Sequence, residues 1–204
     1  MARARPAPKV IPWSGIAFRA TSYDVPLWVR PNRRAGRWNV PGEGSTQYLA
    51  LDAEAPFAEM LRHEDLRTED AAATFRTTLW QLFVDEGSLV DYRTFELAEA
   101  AGFPPEALVE DDYERCQAEA QWLKSHGVAA LLTPSAALPG SMNLTLFGPR
   151  VAINWNANVT LASTVRAQKL TTGNVPAGLV ARVRFFGTPH AGLEAFKAAR
   201  AERG

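Results

Sequence analysis

The amino-acid sequence predicts a single α+β domain with a mixed β-sheet core and flanking helices. The chain has 204 residues, which suits one sizeable domain rather than two. Its apolar fraction of 47% and charged fraction of 22% are those of an ordinary soluble globular protein. Segments with strand patterns outnumber those with helix patterns, and the two do not alternate strictly. Strands and helices that do not alternate favour a mixed α+β fold over a parallel α/β fold.

The N-terminal half begins with an irregular arm and continues with strands and one helix. Residues 1–14 are rich in Pro and Arg and predict the arm, so that the domain proper covers 15–204. The strands predicted in this half cover residues 15–20, 46–51 and 77–84. Residues 52–64 predict a helix with Asp52 as its N-cap.

A long loop, residues 21–46, separates the first two predicted strands. Loops of this length inside a compact domain are usually functional or disordered. Trp28 and Trp38 lie in this loop, and large aromatic side chains argue against disorder. The loop is therefore predicted to be ordered and functional.

The C-terminal half contains most of the remaining elements. The predicted helices cover residues 95–102, 111–127 and 189–203. The predicted strands cover residues 128–133, 143–148, 151–155 and 179–186. The clearest helix, 111–127, has an Asp cap, an apolar stripe that includes Cys116, and Gly127 after its end.

Charge and cysteine content exclude several classes of protein. Lys+Arg and Asp+Glu number 22 each, which argues against a protein that holds nucleic acid by charge alone. The basic run RPNRR at 30–34 is interpreted as a solvated loop. A single cysteine, Cys116, excludes an intramolecular disulfide and a multi-cysteine zinc site, and points to a reducing compartment.

The sequence also lacks several familiar signals. It has no signal-peptide pattern and no apolar run long enough to span a membrane, so a soluble, cytoplasmic protein is expected. No glycine-rich phosphate loop and no G-x-S-x-G elbow is present. His63, His126 and His190 have no metal-ligand spacing, and each is expected on a helix surface. No metal is therefore predicted.

A set of polar and aromatic residues at strand ends and in loops remains as candidates for a site. They are Arg19, Arg37, Trp38, Asn39, Tyr48, Glu59, Ser135 and Asn143. Taken singly, each has an ordinary structural interpretation. Glu59, for example, suits a solvated helix position, and Ser135 suits a turn after Pro134. Composition and periodicity do not decide between these interpretations.

The order of the motifs around these residues resembles the RES family, which is named for its Arg, Glu and Ser. Members of that family are the toxin halves of bacterial RES–Xre toxin–antitoxin modules. The matching segments are AFRA with Arg19, GRWNVPG at 36–42, QYLAL with Tyr48, APFAEML with Glu59, and LLTPSAALPGSMNLTLF with Ser135 and Asn143. The resemblance covers residues 15–155, and either Arg19 or Arg37 could be the arginine of the family name.

The resemblance implies an ADP-ribosyltransferase-like fold and NAD+ as the substrate. It implies that Glu59, Arg19 and Ser135 are catalytic and that the NAD+-binding residues are Arg37, Tyr48, Trp38, Asn39 and Asn143. It also implies an Xre-like antitoxin as a partner, and in some members a protein that accepts ADP-ribose. Neither a membrane nor direct nucleic-acid binding is expected.

The chemistry of NAD+ cleavage is compatible with these residue types. Breaking the nicotinamide–ribose bond leaves an oxocarbenium-like sugar, which the anion of Glu59 would stabilise. A guanidinium, Arg19 or Arg37, suits the pyrophosphate, and Tyr48 offers a flat surface to the nicotinamide ring. Water, phosphate or a protein side chain could accept the ADP-ribose. The alternative hypothesis is a non-catalytic module of the same fold that binds NAD+, ADP-ribose or a protein partner.

Overall fold

The computed structural model describes residues 5–158, 161 and 163–203, and these residues form one mixed sheet with helices packed against it. The seven strands are β1 (Ile11–Thr21), β2 (Thr46–Ala50), β3 (Arg76–Asp91), β4 (Ala130–Pro134), β5 (Met142–Phe147), β6 (Val151–Asn154) and β7 (Thr164–Asn174). The five α-helices are α1 (Ala55–His63), α2 (Glu69–Thr74), α3 (Phe95–Ala100), α4 (Glu114–Ser125) and α5 (Ala191–Ala201). The predicted α+β domain with a mixed sheet is confirmed.

The sheet has the strand order β1-β2-β5-β4-β3-β7-β6, and β1 also pairs with β3. Strands β1 to β5 therefore form a closed circuit of hydrogen-bonded neighbours. The pairs β3–β4 and β6–β7 are parallel, and the others are antiparallel. Every residue of β4 is buried, which explains the continuous apolar run at its start.

The core consists of three clusters of buried side chains. The first is formed mainly by side chains of the strands and contains Leu82, Leu132 and Leu144. The second packs α3, α4 and α5 around aromatic residues such as Phe103. The third joins α1 to the C-terminal segment around Phe185. The site described below lies where strand ends from the first cluster meet α1.

The N-terminal arm is shorter than predicted and is partly anchored. Strand β1 begins at Ile11, so residues 11–14 of the predicted arm belong to the sheet, where Ile11 pairs with Leu89. Ahead of the strand, Arg5 donates a hydrogen bond of 2.8 Å to the buried carboxylate of Glu119 and stacks 3.8 Å from the ring of Trp122. These contacts attach the arm to α4.

Two predicted helix caps are wrong. Helix α1 begins after Glu54, which makes no side-chain cap, whereas Asp52 accepts a hydrogen bond from Ser141. Helix α4 begins after Tyr113, which makes no side-chain cap bond. Asp112 lies one position before this N-cap and accepts the backbone N–H of Glu114, the first residue of the helix.

The strand predicted at 179–186 is also wrong, and two elements were not predicted. Residues Val180–Arg182 form a short 3-10 helix, because positive-φ glycines flank the segment and its apolar side chains pack against α1 rather than joining the sheet. Strand β7 was missed because it is mostly exposed and polar, which hides the alternation of a strand. The short helix α2, capped by Thr68, was missed as well.

None of the helices in the described part of the chain combines the length and the apolar character needed to cross a bilayer.

Candidate active site

A cavity of about 300 Å³ lies beside α1, at the ends of β1, β2 and β5. Each of these elements contributes one of the predicted side chains: Arg19 from β1, Tyr48 from β2, Glu59 from α1 and Asn143 from β5. Arg37 and Trp38 enter from the long loop. The fold therefore brings six of the eight predicted residues to one cavity.

The carboxylate of Glu59 is held by two hydrogen-bond donors. Its Oε1 accepts 2.7 Å from Asn143 Nδ2 and 3.0 Å from Ser135 Oγ. These donors come from β5 and from the turn that follows β4. The two donors fix the position and orientation of this carboxylate at the cavity wall.

Ser135 can make this contact in only one way. Its Oγ accepts the backbone N–H of Ala137 at 3.3 Å and that of Leu138 at 3.0 Å. A hydroxyl has two acceptor positions and one hydrogen, so the hydrogen is left for Glu59. Ser135 is fully buried and does not line the cavity. Its position is that of a support behind Glu59 rather than of a group that contacts a ligand.

Arg19 is a buried cation without an anionic partner. It is 8% exposed, donates from Nη1 to Gln47 Oε1 at 2.9 Å, and stacks 4.0 Å above the ring of Trp28. Burial lowers the pKa of Arg19 to about 9, which still leaves the guanidinium charged at neutral pH. No carboxylate of the described residues forms an ion pair with it. A buried charge of this kind is costly unless an anion joins it.

Residues 36–39 form a turn, called the GRWN turn below, and Arg37 lies at its tip. Its Nη1 donates 3.1 Å to the backbone oxygen of Ala107, and its guanidinium lies 4.8 Å from the ring centroid of Tyr113. The Nη2 atom is buried and has no hydrogen-bond partner among the described residues. Arg37 can therefore offer donors to a ligand in the cavity.

The GRWN turn is fixed by a short network behind the cavity. Gly36 and Asn39 pair across the turn, and the Tyr48 hydroxyl accepts from Trp38 N and donates to Asn39 Oδ1, both at 2.9 Å. Burial raises the pKa of Tyr48, which keeps this hydroxyl protonated and able to donate. Asn39 does not line the cavity, and its amide group is already bonded to Tyr48 and to the backbone of Arg34. It fixes the turn.

Trp38 is a core residue that also reaches the cavity. It is 2% exposed and packs against Phe103 with ring centroids 6.2 Å apart. Trp38 is also one of the residues that line the cavity, as Tyr48 is. Packing therefore accounts for a large aromatic side chain in the middle of a glycine- and proline-rich loop.

Sequence reasoning missed Arg62, which also lines the cavity. Arg62 lies three residues after Glu59 on the same face of α1, a spacing that could have revealed it. Its Nη2 forms an ion pair of 2.6 Å with Asp111, and its guanidinium stacks 4.1 Å from the ring of Phe186. The signal was weak because an arginine on an amphipathic helix usually lies in solvent.

The buried polar atoms without partners concentrate at this cavity. Five such side-chain atoms occur among the described residues, and four belong to residues that line it. These four are Arg37 Nη2, Arg62 Nε, Asn143 Oδ1 and Thr145 Oγ1. Because unsatisfied buried polar groups are rare, they indicate a ligand that offers both hydrogen-bond donors and acceptors.

Comparison with known proteins identifies the family. The RES domain model matches residues 12–162, which include all eight candidate residues. The chain belongs to the RES domain family. The fold is similar to that of a chain in the crystal structure of the M. tuberculosis MbcT–MbcA toxin–antitoxin complex, with a TM-score of 0.63 and 22% identity. The match covers 86% of this chain and 91% of that one, and at this identity it establishes a common fold. No curated protein gives a significant match.

In this RES domain the glutamate and the serine that match the family motifs are hydrogen-bonded to each other, as Glu59 and Ser135. Both candidate arginines, Arg19 and Arg37, line the same cavity, so the geometry assigns neither as the arginine of the family name. Within the described residues, no group of three or more His, Cys, Asp or Glu is arranged to hold a metal ion.

One histidine of this RES domain departs from its predicted place on a helix surface. His190 is 4% exposed and caps α5, where its Nδ1 accepts from the backbone N–H of Leu193 at 3.2 Å. The sequence places it at the start of a helix, and capping by an imidazole draws it inward. Its second ring nitrogen contacts the turn that carries Ser135.

The GRWN turn gives a direct test of local packing. A Cβ added to Gly36 would lie 2.5 Å from Asn39 Oδ1 and 2.6 Å from the Tyr48 hydroxyl, so Gly36→Ala must displace this network. We expect the free energy of unfolding, measured with denaturant, to fall by about 1–3 kcal/mol. Gly87→Ala is the control, since its Cβ would enter open space in β3 and the change should stay within about 0.5 kcal/mol. Equal stability of the two variants would contradict the packing described here.

Proposed function

We propose that this RES domain is the toxin of a toxin–antitoxin module and that it cleaves the nicotinamide–ribose bond of NAD+. The observation that carries the proposal is the Glu59 carboxylate, bonded to two donors at the wall of a cavity that also contains two arginines without anionic partners. The Glu59 carboxylate suits a ligand that develops positive charge. The guanidinium groups of Arg19 and Arg37 suit a phosphate group on the same ligand.

The bond that breaks joins C1′ of the ribose to the nicotinamide nitrogen. The electron pair goes to that nitrogen, nicotinamide leaves as a neutral base, and positive charge develops on the ribose. Glu59 would stabilise this charge, because its carboxylate is already held in position by two hydrogen bonds before the reaction begins. The oxygen of the acceptor then bonds to C1′ and loses its proton.

The remaining groups match the other parts of NAD+. Arg19 and Arg37 supply charged donors for the pyrophosphate. Tyr48 supplies an aromatic surface for the nicotinamide ring. Asn143 Oδ1 and Thr145 Oγ1 are free to bond the ribose hydroxyls or the carboxamide. A volume of about 300 Å³ is at the lower end for ligand cavities, so we expect the reacting end of NAD+ to be enclosed and the adenosine to extend outward.

The family, and the fold that this chain has in common with a chain of a toxin–antitoxin complex, support a proposal for the biological setting. We propose an Xre-like antitoxin as its partner and the cytoplasm, where NAD+ is available, as its place of action. Water or phosphate as the acceptor would deplete NAD+. A protein side chain as the acceptor would instead be ADP-ribosylated.

Replacing the carboxylate tests the chemistry. Glu59→Gln keeps the size of the side chain but removes its charge, and we expect nicotinamide release from NAD+ to fall at least about 100-fold. Chromatography of the products measures the release, and NAD+ with a tagged adenosine distinguishes transfer to protein from hydrolysis or phosphorolysis. The control is Glu114→Gln, an exposed change on α4. The proposal fails if the wild type releases no nicotinamide with or without cell extract. A non-catalytic binding module would give that result while still binding NAD+.

Expression in bacteria tests the toxin assignment. We expect the wild-type chain to arrest growth with a fall in cellular NAD+, and Glu59→Gln to leave growth unaffected. Co-expression of the proposed Xre-like antitoxin, to be sought in the neighbouring gene, should restore growth. Arrest by Glu59→Gln at the wild-type level would show that toxicity does not depend on this carboxylate.

A further inference from the structure

His190 links α5 to the turn that holds Ser135. Its Nδ1 accepts the backbone N–H of Leu193, so in the neutral ring the hydrogen lies on Nε2. The Nε2 atom lies 3.1 Å from the backbone oxygen of Ser135, to which it therefore donates. One imidazole thus caps a helix with one nitrogen and fixes a carbonyl of the site with the other.

The environment of His190 keeps the ring neutral and in place. Burial lowers the pKa of His190, and the positive charges of Arg184 and Arg62 act in the same direction. The edge of its ring faces Phe95, with ring centroids 6.0 Å apart. A Cβ on Gly192 would lie 3.2 Å from its Cε1, which shows how closely the backbone of α5 approaches the ring. The ring therefore has one tautomer and little room to turn.

The Ser135 carbonyl belongs to the peptide group that leads into the turn. The Oγ of Ser135 receives the N–H groups of Ala137 and Leu138, and the backbone N–H of Ser135 donates 2.9 Å to Ser141 O. If the carbonyl lost its donor, the peptide plane between residues 135 and 136 would be free to rotate. Rotation would shift the two following peptide groups and move the N–H groups of Ala137 and Leu138 away from Oγ. The hydroxyl would then no longer be constrained to donate to Glu59.

We propose that His190 is a positioning residue for the site: its Nε2–H fixes the Ser135 carbonyl and thereby the direction in which the Ser135 hydroxyl donates to Glu59. The inference rests on the proposed NAD+ cleavage. Helix α5 lies beyond residues 12–162, the part of the chain that matches the family model. The proposed role of His190 therefore makes this C-terminal helix a part of the active-site structure.

Two substitutions separate the two bonds of His190. His190→Asn places an oxygen close to the position of Nδ1, so it keeps the cap on α5 and removes the donor to Ser135. His190→Gln places an N–H close to the position of Nε2, so it keeps that donor and loses the cap. We expect kcat for nicotinamide release to fall about tenfold in His190→Asn with little change in KM, and to recover most of the wild-type value in His190→Gln.

The same variants give a readout that does not depend on NAD+. Hydrogen exchange of the Ala137 and Leu138 amides should be faster in His190→Asn than in the wild type, and close to the wild type in His190→Gln. The inference is overturned if His190→Asn keeps the wild-type kcat, or if both variants lose activity and protection equally, because the effect would then follow from folding alone. If the wild type releases no nicotinamide, the proposed function fails, and the exchange rates still decide whether His190 fixes the turn.

Discussion

The structure of the site depends on the two hydrogen bonds that Glu59 Oε1 accepts from Ser135 and Asn143. A carboxylate at the wall of a cavity loses part of its hydration, and fixed donors offset that loss. Asn143 belongs to β5 and Ser135 to the turn that follows the neighbouring strand β4, whereas Glu59 belongs to a helix. The bonds therefore attach α1 to the sheet and, at the same time, set the position of the group on which the proposed chemistry depends.

A second layer of contacts supports this arrangement from the helical side of the domain. Gln117 on α4 donates to the backbone oxygens of Gly36 and Asn39 and so holds the GRWN turn against the helix. His190 at the start of α5 holds the turn that follows β4. The GRWN turn, which lines the cavity, and the turn that supports Glu59 from behind are thus each held by a helix. Such fixed loops explain how polar side chains can face a cavity without relaxing onto one another.

The sequence predicted much of the fold and most of the residues around the cavity, for reasons that differ between elements. Strands β2, β4 and β5 have apolar patterns because they are buried, and β7 was missed because it is exposed and polar. The residues of the site were predicted from the order of the motifs along the chain. That order indicates which residues belong to the site but not which of them are in contact. The pairing of Arg62 with Asp111 and that of His190 with Ser135 join residues far apart in the chain. No local spacing or periodicity encodes such contacts.

We propose that NAD+ binds in this cavity with its pyrophosphate on the buried Arg19 and the partly buried Arg37. Calorimetric titration of NAD+ into the Glu59→Gln protein tests it most directly, because this variant should bind without turnover. We expect saturable binding at one site per chain, weakened at least about tenfold when Arg19→Met or Arg37→Met is added. Absence of binding, or binding that neither arginine substitution weakens, would contradict it.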